Sequence, residues 1–120
     1  MFVIIDIYTI MFIIMDMNGK KQVKLMPQSV ERLEILGDQI KLARLRRGIS
    51  VNLTAERAGV SRATVWQIEK GSPSVSMGAY VAVLHALNDL DKDILLIGKE
   101  DVLGRDIQDI KMLNKGRRKN

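Results

Sequence analysis

Residues 48–71, GISVNLTAERAGVSRATVWQIEKG, carry the residue types and the spacing that are typical of a DNA-reading surface. Two short helical patterns are joined by the three-residue turn Gly59-Val60-Ser61, an arrangement that presents the second helix to the major groove. Apolar residues occupy one side of that helix and Arg62, Ala63, Trp66 and Gln67 the other, with Thr64 between them. The outer side can therefore reach base edges.

Serine and glycine residues predict where these helices begin and end. Ser50 and Ser61 stand at the two helix starts, where a hydroxyl can accept a hydrogen bond from an unpaired backbone amide. Gly59 ends the first helix, because it lacks the Cβ that disfavours a positive φ. Ser76 similarly predicts the start of a further helix, which follows the loop GSPSVS.

Apolar spacing predicts the remaining elements. A helix is expected from about Val30 to Gly48, since Leu33, Leu36, Ile40 and Ala43 recur at helical intervals. Its last turn carries cations that favour the negative end of the helix dipole: Lys41, Arg44, Arg46 and Arg47. Ser76 opens the fourth helix. The run 94–97 fits either a fifth helix capped by Asp91 or a short strand, and 102–113 returns to near-helical spacing.

Composition limits the classes of protein. A chain of 120 residues that is 47% hydrophobic can bury one modest core, so one domain with extensions is expected. Cysteine is absent, which excludes disulfides and thiolate chemistry and agrees with a reducing cytoplasm. His85 is the only imidazole and has no Cys or acidic partner at ligand spacing, so no metal is predicted. Without a nucleophile and base or paired carboxylates, we expect neither an enzyme nor a cofactor.

The net charge of +5 is unevenly distributed. Residues 41–62 contain six basic residues and one acidic residue, residues 86–110 contain three basic and seven acidic, and residues 111–120 contain five basic and none acidic. A polyanion would therefore meet a basic front rather than the whole surface. The basic tail NKGRRKN either adds phosphate contacts or is merely a solvated extension.

The first 17 residues, MFVIIDIYTIMFIIMDM, differ from the rest. The uninterrupted apolar run from Ile7 to Met15 is too short to span a membrane, and no basic stretch precedes it as in a secretory signal. It can be a β-rich dimer arm, an interfacial or aggregating segment, or an upstream extension included through a wrong start codon. The expected organisation is this extension at 1–17, a basic linker at 18–29, a folded domain at 30–98, and a helix and basic tail at 99–120.

The stretch AERAGVSRATVWQIEKG, followed by PSVSMGAYVAVLHAL, resembles the lambda-repressor-like helix-turn-helix proteins, also called the XRE family. The resemblance covers about residues 35–97 without an insertion. It implies an all-α fold, a five-helix lambda-repressor-like helix-turn-helix domain with short N- and C-terminal extensions. It also implies that the second helix of the motif reads bases.

The resemblance assigns a role to a residue only where that residue matches the family pattern. The resemblance implies that Arg62 pairs with guanine and Gln67 with adenine, and that Ala63 and Thr64 meet thymine methyl groups. Trp66, at an outward position that is often small or polar, can contact sugar and base, pack on Arg62 or cover an apolar neighbour. Five residues are expected at the DNA backbone: Arg47, Ser50, Ser61, Lys70 and Ser72.

Three positions depart from the family pattern. Val51 stands where a polar residue, often Gln, contacts the DNA backbone, and Thr54 and Ala58 stand where Leu is common. The core at these positions is expected to be looser or compensated elsewhere.

The predicted function is sequence-specific binding of double-stranded DNA at an inverted-repeat operator by a cytoplasmic homodimer that represses transcription. The residues expected to form the dimer contact are Ile94, Leu95, Leu96 and Ile97.

The extension after the fourth helix resembles that of HipB-type antitoxins, which implies a Hip-type kinase toxin as a partner. A stand-alone phage-type or metabolic regulator fits the same features. A protein-interaction or membrane-associated module is the alternative from another class, although no membrane association is expected. The sequence shows no pocket for a small-molecule effector.

Overall fold

The computed structural model describes the backbone of residues 23–118 and the side chains of residues 23–116. Every regular element in this part of the chain is helical. The five α-helices are α1 (Pro27–Arg46), α2 (Val51–Ala58), α3 (Arg62–Glu69), α4 (Met77–Ala86) and α5 (Val102–Arg118), and a 3₁₀ helix (Leu90–Leu96) lies between α4 and α5. The all-α prediction is confirmed. The N-terminal segment 1–17, residues 18–22 of the predicted linker and the last two residues of the basic tail lie outside the described residues.

Helix α1 begins three residues before the start that apolar spacing predicted at Val30. Pro27 occupies the first helical turn, where its missing N–H costs nothing and its fixed φ already suits the helix. The residue before it, Met26, makes no side-chain capping bond. The predicted end is confirmed, because Gly48 follows the helix with a φ of 63°.

One core connects the first four α-helices. Helix α1 packs on α3, and α2 packs on both α3 and α4. Eight side chains form its buried centre: Ile40, Ala43, Ala55, Val65, Ile68, Tyr80, Val83 and Leu87. The helical spacing of Leu33, Leu36, Ile40 and Ala43 did predict the buried side of α1, with the two leucines packed at the margin. This core fixes α3 between α1 and α4.

The segment that could be a helix capped by Asp91 or a strand forms the 3₁₀ helix instead. It begins at Leu90, which packs against the core, so Asp91 lies inside the helix and does not cap it. The preceding Asn88 and Asp89 both have positive φ values, 59° and 61°, which turn the chain back towards α4. Local periodicity could not show this reversal, because it depends on two non-glycine residues in the left-handed conformation.

Helix α5 extends away from the core. Every residue from 102 to 116 is exposed except Gly104. Its start is nevertheless well defined, since Asp101 accepts a hydrogen bond from the Gly104 amide and Arg105 donates one to the Lys99 carbonyl. None of the helices in the described part of the chain combines the length and apolar character needed to cross a membrane.

Candidate nucleic-acid interface

The turn between α2 and α3 has the geometry that the serine and glycine residues predicted. The hydroxyl oxygen of Ser50 accepts a hydrogen bond from the Leu53 amide at 3.0 Å, and that of Ser61 accepts one from the Thr64 amide at 3.1 Å. Gly59 has a φ of 69° and ends α2. Two capped helices are thus joined through three residues, which leaves the start of α3 little freedom relative to α2.

Helix α3 has one buried side and one exposed side. Val65 and Ile68 are fully buried against α1 and α4. Arg62, Ala63, Trp66 and Gln67 are exposed, and Thr64 is half-buried between the two sides. The hydroxyl groups of Thr64 and Ser61 lie 2.8 Å apart and bond to each other. The structure therefore brings the five predicted base-reading side chains to the exposed side of one short helix or its edge.

Two residues predicted to contact the DNA backbone bond elsewhere in the protein. Arg47 donates from Nε to the Asn88 side-chain oxygen at 2.7 Å and from Nη1 to the Ala43 carbonyl at 2.9 Å. Its second terminal nitrogen is still able to donate to a phosphate. Ser72 shares a 2.7 Å hydrogen bond between hydroxyl groups with Ser74.

The remaining predicted backbone contacts lie at helix ends. Ser50 and Ser61 are exposed, and because the Ser50 hydroxyl accepts from an amide, its own proton stays available to a phosphate oxygen. The Ser61 hydroxyl also shares a hydrogen bond with the Thr64 hydroxyl. Lys70 is exposed and directly follows α3. Each of these residues caps a helix: Arg47 ends α1, Ser50 begins α2, and Ser61 and Lys70 flank α3.

A buried ion pair between Arg44 and Glu69 fixes the end of α3 to α1. The Arg44 Nε lies 2.7 Å from the Glu69 Oε1, and the side chains are only 11% and 8% exposed. Arg44 also donates to the Ile49 carbonyl at 2.9 Å. The expectation that Arg44 belongs to the exposed basic front was wrong, because its guanidinium is held inside the domain. Nothing local predicts its partner, which is 25 residues away.

Close backbone packing also positions α3, and it requires two glycines. A Cβ on Gly37 of α1 would lie 2.6 Å from the Ile68 carbonyl oxygen and 2.7 Å from the Gly71 nitrogen. A Cβ on Gly71, whose φ is +71°, would lie 2.6 Å from the Glu34 Cα. Helix α1 and the end of α3 therefore approach each other more closely than any larger residue would allow at either position.

Tyr80 connects α4 to the loop that follows α3. Its hydroxyl donates a 2.7 Å hydrogen bond to the Ser72 carbonyl. Burial raises the pKa of the Tyr80 phenol, since removal from water disfavours the phenolate. Through this hydrogen bond, neutral Tyr80 fixes the position of the loop that follows Lys70 and contains Ser72.

Two departures from the family pattern are explained by their surroundings. Thr54 is 1% exposed, and its hydroxyl donates to the Ser50 carbonyl, so its polar group is satisfied within α2. Val51 and Trp66 line one shallow depression together with six charged side chains, five of them on α1 and α3: Glu34, Asp38, Lys41, Arg44, Glu69 and Lys70. Trp66 is 52% exposed, which leaves much of its indole ring open to a ligand.

His85 does have acidic partners, contrary to the prediction from sequence. Its Nδ1 lies 3.2 Å from carboxylate oxygens of both Asp89 and Asp91. These three side chains lie close enough together to hold a metal ion; His85 and Asp89 are exposed, Asp91 is half-buried, and the imidazole Nδ1 is within hydrogen-bond distance of Asp91. Asp89 lies four residues after His85, a spacing visible in the sequence, whereas Asp91 reaches the imidazole only because the chain turns back at Asn88 and Asp89.

The domain also contains an apolar groove that was not predicted from the sequence. The groove has a volume of about 640 Å³ and lies between α1, α4 and the 3₁₀ helix, with Leu36, Leu84, Ile94 and Ile97 in its wall. It forms because the apolar faces of three elements do not pack fully against one another. The spacing of apolar residues within each element cannot predict such a gap. Two of the predicted dimer residues thus border a continuous apolar surface.

Comparison with known proteins supports an assignment for this region. Residues 35–90 match the family model of a helix-turn-helix domain. The match begins within α1 and ends at the first residue of the 3₁₀ helix, so it includes the whole α2–turn–α3 unit. A search of curated proteins gave no significant match. The match supports a family of helix-turn-helix regulators and does not distinguish subfamilies within it.

Proposed function

We propose that this chain is a sequence-specific, double-stranded-DNA-binding transcriptional regulator that acts as a homodimer and represses its target genes. The observation that carries the proposal is the exposed outer side of α3, held at a fixed angle to α2 within residues that match a helix-turn-helix domain. A helix of this kind enters the major groove with its N-terminal residues next to base edges. Residues 30–98 form the DNA-binding domain in this proposal, between the linker 18–29 and the extension 99–120.

Arg62 and Gln67 supply most of the base discrimination in this proposal. A guanidinium donates two hydrogen bonds to guanine O6 and N7, and a Gln amide pairs with adenine N6 and N7, each contact being worth about 1–3 kcal/mol against the wrong base. Both side chains are exposed on one side of α3. Ala63 and Thr64 present methyl groups to thymine, and the indole of Trp66 contacts sugar and base beside them.

Contacts to phosphates then set the position of α3 in the groove. We assign these contacts to Arg47, Ser50, Ser61, Lys70 and Ser72. Hydroxyl and amide groups at the starts of α2 and α3 favour an anion, because the helix dipole is positive there. The Ser72 hydroxyl accepts from the Ser74 amide and shares a hydrogen bond with the Ser74 hydroxyl, so Ser72 is held in its loop beside α3.

Dimerisation is assigned to Ile94, Leu95, Leu96 and Ile97. Leu95 is 80% exposed and Ile97 is 77% exposed, so covering them removes a large apolar area from water. Ile94 and Ile97 also border the apolar groove, which extends the surface that a second copy can cover. A two-fold axis would place the two α3 helices about 34 Å apart on one face of DNA, so the operator is an inverted repeat.

Two kinds of regulated system fit this proposal. A HipB-type antitoxin, which pairs with a kinase toxin and represses its own operon, fits the apolar and acidic segment after α4, and a cytoplasmic location is part of this proposal. A stand-alone phage-type or metabolic regulator is the alternative. Copurification with the product of a neighbouring kinase gene supports the antitoxin, whereas a gene neighbourhood without a kinase supports the independent regulator.

Selection of binding sites from random duplex DNA tests the DNA-reading function. The expected result is an inverted repeat with half-site centres about 10 base pairs apart, or a multiple of that spacing. Log affinity for the selected site is expected to fall linearly with log salt concentration. Recovery of no common sequence, together with weak binding that salt abolishes equally for all duplexes, would contradict sequence-specific regulation.

A further inference from the structure

Helix α5 has an apolar face without a partner in the described part of the chain. Leu103, Ile107 and Ile110 recur at intervals of four and three residues, and they are 71%, 45% and 58% exposed. Residues with this spacing lie along one side of an α-helix. An isolated helix of 17 residues with such a face gains stability mainly by packing it against another element.

The spacing continues for two heptads of a coiled coil. Leu103 and Ile110 take d positions, Ile107 takes an a position, and the next a position is Asn114. Ile107 at a and Leu103 at d suit a parallel two-stranded coil, whereas Ile110 at the second d position favours more strands. The preference for a dimer in one register therefore rests on the single Asn114 at a. We propose that α5 pairs in parallel with α5 of a second copy of this chain.

Charge complementarity supports the parallel orientation. In this register Asp106 takes a g position and Lys111 the following e position. A parallel pair brings each g residue next to the e residue five positions later on the partner helix, so two Asp106–Lys111 pairs of opposite charge form per dimer. An antiparallel pair in the same frame would place Asp106 beside Leu113 and Lys111 beside Gly104, without any opposite charges.

The apolar area agrees with a dimer formed jointly by α5 and the 3₁₀ helix. Six apolar side chains at these surfaces are strongly exposed: Leu95, Leu96, Ile97, Leu103, Ile107 and Ile110. At about 100 Å² for each buried side chain, two copies would bury about 1,200 Å², which lies within the range of specific protein interfaces. Two heptads alone would be marginal, so the 3₁₀ surface is needed as well.

This inference rests on the proposed function only because both require a two-fold symmetric dimer. It adds the direction of the two-fold axis. In a parallel pair the two-fold axis runs along the helices, so both folded domains lie at the same end of the coil. The two α3 helices can then meet one face of the same DNA duplex. An antiparallel pair would separate the domains by about the length of α5, close to 25 Å at 1.5 Å per residue.

Charge reversal in the full-length chain tests the pairing without DNA. Sedimentation equilibrium at low salt measures the dimer dissociation constant, and circular dichroism checks helix content. We expect Asp106→Lys and Lys111→Asp each to weaken the dimer about tenfold, since each creates two like-charge pairs. The double variant Asp106→Lys, Lys111→Asp should return to within about threefold of the original value, and an equimolar mixture of the single variants should form heterodimers.

Asp109→Lys is the matched control, because it makes the same charge change on α5 at a position outside the predicted seam. It should leave the dissociation constant within about threefold of the original. Equal association of all variants, or a folded double variant that stays as weak as the singles, would overturn the parallel pairing. Site selection on DNA is read separately, so an inverted-repeat binder that is insensitive to charge reversal would retain the proposed function and lose only the α5 pair.

Discussion

Tyr80 shows how a single hydrogen bond can hold the loop beside α3. Because its hydroxyl donates to the Ser72 carbonyl at 2.7 Å, Tyr80→Phe leaves that acceptor without its partner. We expect a loss of about 1 kcal/mol in the free energy of unfolding at neutral pH. Urea denaturation of the variant and the original chain measures the difference.

The same residue predicts a pH dependence. Burial raises the pKa of Tyr80 in the folded state, so the unfolded chain loses this proton at a lower pH than the folded one. The associated stability is therefore fully present below a pH of about 10 and is lost as the pH rises through the raised pKa. Urea denaturation from pH 9 to 11 should show a smaller fall in stability for Tyr80→Phe, and parallel pH profiles would contradict this account.

The Arg44–Glu69 pair gives a second prediction at the level of residues. Glu69→Gln leaves a buried guanidinium without its counter-charge, and breaking a buried pair from one side costs about 3–5 kcal/mol. The double variant Arg44→Met, Glu69→Leu removes both charges and should recover most of that loss. Chemical denaturation measures both. A single variant as stable as the original chain would show that the pair does not hold α3 to α1.

The packing of α1 against α3 depends on a glycine where the helices approach. Gly37→Ala places a Cβ 2.6 Å from the Ile68 carbonyl oxygen, so the backbone must move, and we expect a loss of about 2 kcal/mol or more. Gly78→Ala is the matched control, because the nearest atom to its Cβ would be the Ser76 Oγ at 3.9 Å. It should raise stability by about 0.5–1 kcal/mol through helix propensity. Thermal unfolding of both variants tests the contrast, which a tolerated Gly37→Ala would contradict.

At this scale, the sequence predicted features that depend on near neighbours. The serine caps at Ser50, Ser61 and Ser76 each bond to an amide three residues later, so a local pattern contained the information. The two sides of α3 followed from its period in the same way. Arg44–Glu69 and Gly37–Gly71 could not be predicted, because their partners are 25 and 34 residues apart and meet only after the helices pack.

The 3₁₀ helix and the surface around it illustrate the same limit. Helical and extended structures were both compatible with 94–97, and the outcome depended on positive φ values at Asn88 and Asp89. That reversal also brought His85 to two aspartates and helped to shape the apolar groove. The apolar pattern of residues 94–97 alone therefore could not predict their structure, which depends on how this segment packs with α1 and α4.

At the scale of the whole molecule, charge and shape suggest a division of roles. Basic residues between positions 41 and 62 lie around the α2–turn–α3 unit, although Arg44 serves packing instead. A second surface, rich in exposed apolar side chains, lies farther along the chain in the 3₁₀ helix and α5, apart from others on α1 such as Leu42 and Leu45. The proposed dimer uses the second surface and leaves the first for DNA.

The most direct test of the central claim is a titration of the selected operator and of an unrelated duplex with the Arg62→Ala, Gln67→Ala variant. We expect its preference for the operator to fall by about 2–6 kcal/mol per half-site, with a much smaller change on the unrelated duplex. Gln28→Ala, Arg32→Ala removes the same residue types from exposed positions of α1 and should keep the preference. If the α3 variant retains the full preference for the operator, α3 does not read the sequence.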